Sequence, residues 1–231
     1  MNKEYEPSIL VSRDDILPEN TKRIYFVRHG HSGGTNVVTS MNPPLTSKGV
    51  KQAESLKDFF TDKPIDAVIT SNLSRAKETA NIIIGDRSIE KRATSELNEL
   101  HCIGNWEALS EDELTRVVNS RIYKFNDKVE NGETLANFHK RIERAWNEII
   151  AKTEANNILL VTHYEVMRVL ISILFKVKPE TNIDFLIPFP HASVSEIRIV
   201  NTIKDKDLPD KMYVLQYLCK TEHLSGDLIS Y

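Results

Sequence analysis

The chain has 231 residues and a mass near 26 kDa, with 30 Lys+Arg against 33 Asp+Glu and a formal charge of −3. Hydrophobic residues make up 40% and there are only 8 Gly and 9 Pro, which excludes a disordered, collagen-like or fibrous chain. A pI near 6.2 without a basic stripe, and no run approaching the roughly 20 apolar residues of a membrane span, argue against nucleic-acid and membrane partners.

The first 21 residues are polar and lack an apolar signal core, so they read as a leader ahead of one domain over residues 22–220. Ile24-Tyr25-Phe26-Val27 is a short, β-branched and aromatic run, as expected of a strand buried on both faces. Val50, Ala53, Leu56 and Phe60 then recur at helical spacing. A second strand over Ile65–Ile69 leads through Ser71-Asn72, which supplies N-cap candidates, into a helix marked by Leu73, Ala76, Ala80 and Ile83. After the turn signal Asn131-Gly132, a long helix begins near Thr134 and shows Leu135, Phe138, Ile142, Ala145 and Ile149 on one face. A third buried strand, Ile158–Val161, precedes Val166–Phe175, which is apolar nearly all round and fits a helix packed centrally against the sheet. Val194–Val200 and Met212–Leu218 are strand-like and suit an antiparallel addition near the sheet edge. Residues 221–231 read as a tail. The alternation predicts an α/β fold: three layers, a mostly parallel central sheet and helices on both faces. Cys102 and Cys219 match no redox or zinc spacing, in keeping with a reducing cytoplasm. Met212–Leu218 could pair across a homodimer if it lies at an edge.

Chemistry concentrates where the strands end. Arg28-His29-Gly30-His31 follows the first, Ser71 to Arg75 the second, and His163 the third. Ligands of open α/β sheets bind at the carboxyl ends of strands, so these segments are placed to converge on one crevice. Two guanidinium groups offer planar donor forks to phosphate oxygens and disfavour protonation of a neighbouring imidazole, leaving a nucleophilic nitrogen. A small anionic, phosphorylated substrate follows.

Val27-Arg28-His29-Gly30 with Asn36 resembles the R-H-G…N signature of the histidine phosphatase superfamily, also called the phosphoglycerate-mutase-like family. Leu45-Thr46-Ser47-Lys48-Gly49 resembles its L-T-x-x-G turn, Ser71-Asn72-Leu73-Ser74-Arg75-Ala76 its S-x-L-x-R-A segment, Leu97-Asn98-Glu99 its acid-bearing loop and Val161-Thr162-His163 its second histidine motif. Gly104-Asn105-Trp106-Glu107 and Gly132-Glu133-Thr134 are also similar, so the resemblance runs in order over about residues 23–200. It implies the phosphatase branch, a phosphoglycerate-mutase-like fold and catalysis without metal or cofactor. His29 would form a phosphohistidine; Arg28, Arg75 and His163, with Asn36, would surround the phosphoryl oxygens; Glu99 would be the proton donor, with Glu107 its substitute. Gly30, His31 and Tyr164 would line the phosphate site.

Two departures stand out. Tyr164 replaces the glycine that often follows the second histidine, which loosens the backbone approach to phosphate or requires a backbone tolerant of a side chain. His31 replaces the usual Glu, and with His101 it suggests a substrate carrying a second anionic group. His139, His191 and His223 read as ordinary residues, His191 alone lying where it could approach the pocket. Cys102, Trp106 and Trp146 read as packing groups. Three rivals accompany the phosphatase reading. A mutase is disfavoured because only 64 positions separate Glu99 from His163. A metal site built from His29, His31, His163 and a carboxylate is disfavoured by the two arginines. A non-catalytic phospho-ligand module is suggested by Tyr164 alone.

Overall fold

The computed structural model describes residues 21–33, 42–100, 132–179, 187–201 and 210–231. Strands β1 (Lys22–Arg28), β2 (Ala67–Ser71), β3 (Glu90–Thr94), β4 (Asn157–Thr162), β5 (Val194–Asn201) and β6 (Lys211–Lys220) form one sheet in the order β3-β2-β4-β1-β5-β6. The four strands from β3 to β1 are parallel, and β5 and β6 continue the sheet antiparallel. The expected α/β architecture is therefore present, with the antiparallel addition at one edge. β3 went unread in the sequence because Glu90-Lys91-Arg92 carries the charged, exposed signature of an edge strand rather than a buried run.

Helices α1 (Ser47–Phe59) and α2 (Ser74–Ile84) cover one face, where Leu56, Phe60, Ala80 and Ile83 meet Tyr25, Val27, Leu159 and Val161. On the other face α3 (Leu135–Lys152) and α4 (Tyr164–Leu174) bury Phe138, Trp146, Val166 and Leu170 against Ile24, Phe26, Ile158 and Leu160. Alternation along β1 thus feeds two separate cores, each side chain contributing roughly 1.5–3 kcal/mol on burial. Thr134 caps α3 by accepting the Asn137 N–H, as its position before the apolar periodicity implied. α2 has no side-chain cap, because its N-cap position falls on the apolar Leu73 and not on the expected Ser71 or Asn72.

Register brings the strand ends level. Arg28 of β1 pairs with Thr162 of β4, and Thr70 of β2 with Val161, so His29, Ser71 and His163 leave the sheet side by side. Val27 pairs with Val194 of antiparallel β5, which delivers the residues before β5 to the same edge: Ala192 N–H reaches the Arg28 and His29 carbonyls at 3.0 and 3.2 Å. Residues 221–231, expected as a tail, are packed on the domain. Leu224 joins the α1/α2 core, Gln52 donates to Leu228 O at 2.6 Å, and His191 N–H donates to Ser230 O at 2.7 Å. β6 is an edge strand with Met212 and Tyr213 exposed.

Candidate active site

His29 and His163 are buried with ring centroids 5.0 Å apart. His29 Nδ1–H donates to the Gly30 carbonyl at 2.7 Å, which places the lone pair on Nε2, and the Arg75 Nε–H points at that nitrogen from 3.2 Å. Burial, then the proximity of the His163 ring and the charges of Arg75 and Arg28, hold the His29 pKa well below the ordinary imidazole value. The ring is neutral across the physiological range, with the Nε2 lone pair unprotonated. His163 Nε2 lies 2.7 Å from Ser71 Oγ, which also accepts the Leu73 N–H at 3.2 Å. Nε2 of His163 is thereby engaged by the Ser71 hydroxyl, and its buried Nδ1 has no hydrogen-bond partner among the described residues. Burial and the guanidinium groups of Arg75 and Arg28 also hold His163 neutral.

Arg28 is fastened from three sides. Its Nη1 donates to Phe189 O at 2.5 Å, its Nη2 donates to His191 Nε2 at 2.9 Å, and the Tyr164 ring covers its guanidinium at 5.5 Å. Tyr164 opens α4 in ordinary helical backbone, after His163 in extended conformation, so no glycine is required there. The departure at this position supplies a cover for Arg28 rather than a distorted pocket. His191 contradicts its ordinary reading: burial and then Arg28 push its pKa down to about 3, and its Nδ1 donates to Ser230 O at 3.2 Å. Its signal in the sequence was position, since the start of an antiparallel strand beside β1 must lie at the carboxyl edge of β1.

Glycines 30 and 49 are required by close approach. A Cβ on Gly30 would sit 2.6 Å from Gly49 O, and one on Gly49 would sit 2.0 Å from His31 O. The backbone after His29 therefore packs directly on the first turn of α1. Gly49→Ala is expected to push α1 away, at a cost of about 1–3 kcal/mol, and to lower kcat at least about tenfold by displacing His29. Thermal unfolding and turnover of the purified variant measure both.

His31 donates its N–H to Gln52 Oε1 at 2.6 Å, and its Nδ1 lies 2.8 Å from Thr46 Oγ1. Burial, Lys48 and Arg28 lower its pKa, so the ring is uncharged at pH 7. Glu99 follows the short turn Ser95–Leu97 and accepts the Leu100 N–H at 2.9 Å. Burial first, then the charge of Glu165, raise its pKa to about 7 against the opposing pull of Arg75 and Arg28. Glu165 itself is paired with Arg168 at 2.6 Å. Arg28, His29, Gly30, Arg75, His163, Tyr164 and His31 are thus linked by contacts at the strand ends, with Glu99 within reach of the charges of both arginines. Asn36, His101, Cys102, Trp106 and Glu107 lie outside the described residues. Among the described residues no three His, Cys, Asp or Glu side chains are grouped as metal ligands.

Residues 24–204 match the histidine phosphatase superfamily (branch 1). The chain belongs to that superfamily. It is 31% identical over 158 residues to the adenosylcobalamin/alpha-ribazole phosphatase of Salmonella typhimurium, covering 65% of this chain and 78% of the relative. The Escherichia coli enzyme of the same name is 30% identical over 166 residues, covering 68% and 81%. The crystal structure of the alpha-ribazole phosphatase from Shigella flexneri superposes with a TM-score of 0.69 at 28% identity, over 86% of this chain and 96% of that one. As a histidine phosphatase of this branch, the protein is a phosphoric monoester hydrolase.

Proposed function

We propose that the protein hydrolyses a small phosphorylated metabolite, without metal or cofactor, through a phosphohistidine on His29. The observation that carries this reading is the His29 ring itself: Nδ1 is committed to the Gly30 carbonyl, and Nε2 faces Arg75 beside a second neutral imidazole. In this reading Nε2 attacks phosphorus in line. Arg28, Arg75 and the Nδ1–H of His163 bind the three equatorial oxygens as charge develops on them, and Asn36 adds a hydrogen bond. The Nε2–P bond forms as the P–O bond to the leaving group breaks, and the Glu99 proton goes to the departing alkoxide. Ionised Glu99 then takes a proton from the water that attacks the phosphohistidine, releasing phosphate and restoring both groups. A carboxyl with a pKa near 7 serves both directions. The relatives are alpha-ribazole phosphatases by name, so alpha-ribazole phosphate is the first substrate to try.

Phosphate release in excess EDTA tests the reading. The first step needs protonated Glu99, so kcat/KM is expected to fall as pH rises through about 7, and Glu99→Gln is expected to lose about 10²–10⁴-fold together with that alkaline limb. Turnover that EDTA abolishes would overturn the metal-independent route. Transfer of the phosphoryl group back to an organic acceptor, with no phosphate release, would move the protein to the mutases.

A further inference from the structure

Glu99 stands on a loop with little regular structure, yet a general acid must be held to within a fraction of an ångström of the leaving oxygen. The loop is fastened from three directions. Thr162 at the end of β4 donates to Leu97 O at 2.9 Å, and the Asn72 N–H donates to Asn98 Oδ1 at 2.9 Å. The third fastening is larger. Arg141, in the second turn of α3, sends Nη1 to three loop carbonyls, those of Glu96 at 2.7 Å, Asn98 at 3.1 Å and Ser95 at 3.5 Å.

Arg141 is in turn fixed. Its Nε donates to Glu133 Oε2 at 3.0 Å, its Nη2 donates to Glu133 Oε1, and its guanidinium lies 4.9 Å from the centre of the Phe138 ring. A bidentate carboxylate pair determines the plane of a guanidinium, so the remaining nitrogen has one direction in which to donate, toward the loop. Both side chains are mostly buried, at 16% and 21% exposure, which limits the competition of water for these bonds. The charge of Arg141 is felt at His163, whose pKa it helps to lower after burial, Arg75 and Arg28. The charged groups that act on the Glu99 carboxyl are Glu165, Arg75 and Arg28. Arg141 therefore acts on Glu99 through the backbone rather than through its field.

We infer that Arg141, oriented by Glu133, is the positioning residue for Glu99: the pair clamps the carbonyls of residues 95, 96 and 98 so that the carboxyl of the next residue meets the leaving oxygen. This rests on the reading of Glu99 as general acid. It also gives a function to Glu133, part of the Gly132-Glu133-Thr134 motif that the pocket itself does not use.

The dependence on the leaving group tests it. An alkyl phosphate leaves as a basic alkoxide and needs the proton of Glu99; p-nitrophenyl phosphate leaves as a weak base and needs it little. The readout is the ratio of kcat/KM for the two substrates, on the full chain. Glu99→Gln is expected to lower the alkyl-to-aryl ratio by about 10²-fold. Arg141→Lys, which keeps the charge but loses the fork, is expected to lower the ratio about tenfold, and Glu133→Gln to lower it in the same direction by less. In Glu99→Gln/Arg141→Lys the ratio should stay at the Glu99→Gln value, because both act on one proton. An equal loss on both substrates in Arg141→Lys and Glu133→Gln, with the selective loss kept in Glu99→Gln, would make Arg141 merely structural and overturn the inference. A Glu99→Gln variant without selective loss would instead overturn the general-acid reading itself. Glu133→Gln, which leaves Arg141 and its loop bonds in the chain, keeps the test decisive if Arg141→Lys fails to fold.

Discussion

His29→Ala is expected to lower turnover by on the order of 10⁴-fold or more, whatever the substrate. The neighbouring groups are poorly placed to replace it: His163 Nε2 is engaged by the Ser71 hydroxyl, and Arg28 and Arg75 are donors only. Water placed directly on phosphorus would lack both the entropic advantage of the fixed ring and the two-step division of the barrier. The alanine also removes a hydrogen bond to the Gly30 carbonyl, but folding should survive, since the flanking Arg28 and Gly30 keep backbone bonds to Ser193 O and the Thr79 hydroxyl. Rapid alkaline quenching with a labelled aryl phosphate checks the result. A phosphoramidate survives alkali, so label on the wild-type protein and none on His29→Ala is expected. Label retained by the variant would assign the intermediate to another residue.

Arg75→Ala is expected to cost about 10²–10³-fold in kcat/KM, comparable to removal of a donor from a preorganised oxyanion site. Arg75 is nearly buried on the first turn of α2, and its Nε–H already points at the reacting nitrogen from 3.2 Å. The variant should also show a distinct pH signature. Arg75 is one of the positive charges that hold the His29 pKa down, so its removal raises that pKa toward the ordinary value. A His29 ring that protonates at higher pH loses its nucleophile there, and the acid limb of kcat/KM moves upward in pH. Arg75→Lys should restore the position of that limb, because charge is kept, while recovering only part of the rate, because the planar fork is lost. A pH profile of Arg75→Ala identical in shape to that of the wild type would show that Arg75 does not influence the nucleophile.

The stability of the protein follows the same electrostatics. Glu99 has a raised pKa, so its ionisation is disfavoured in the fold, and stability is lost as pH rises from the ordinary carboxyl range to about 7. The group proposed as the proton donor is one the folded state holds at some cost, as expected where function and stability compete.

The convergence of the three strand exits was legible in the chain because buried parallel strands read as continuous apolar runs, and reactive residues directly after such runs must lie at one edge of the sheet. His29, Arg28, Arg75 and His163 could be placed together on that ground, and β5 and β6 could be placed antiparallel at the edge. β3 could not be seen, since an exposed edge strand needs no apolar side chains and borrows its structure from the hydrogen bonds of β2. The apolar periodicity also put Val50 on the buried face of α1, where the structure buries Gly49 and Gln52 instead, because the first turn of that helix packs on backbone rather than on side chains.

Residue type, spacing and alternation alone determined the fold class, the pocket edge and the phosphate chemistry, because these depend on local periodicity and on groups adjacent to strand ends. Only the tertiary structure decided which nitrogen of His29 carries the proton, that His191 and Tyr164 fasten Arg28, and that residues 221–231 close over His191. It also placed Arg141 beneath the Glu99 loop, 42 positions away in the chain. Each of these rests on a hydrogen bond, ring contact or ion pair between residues remote in sequence, whose direction and distance exist only once the sheet has set the register of its strands.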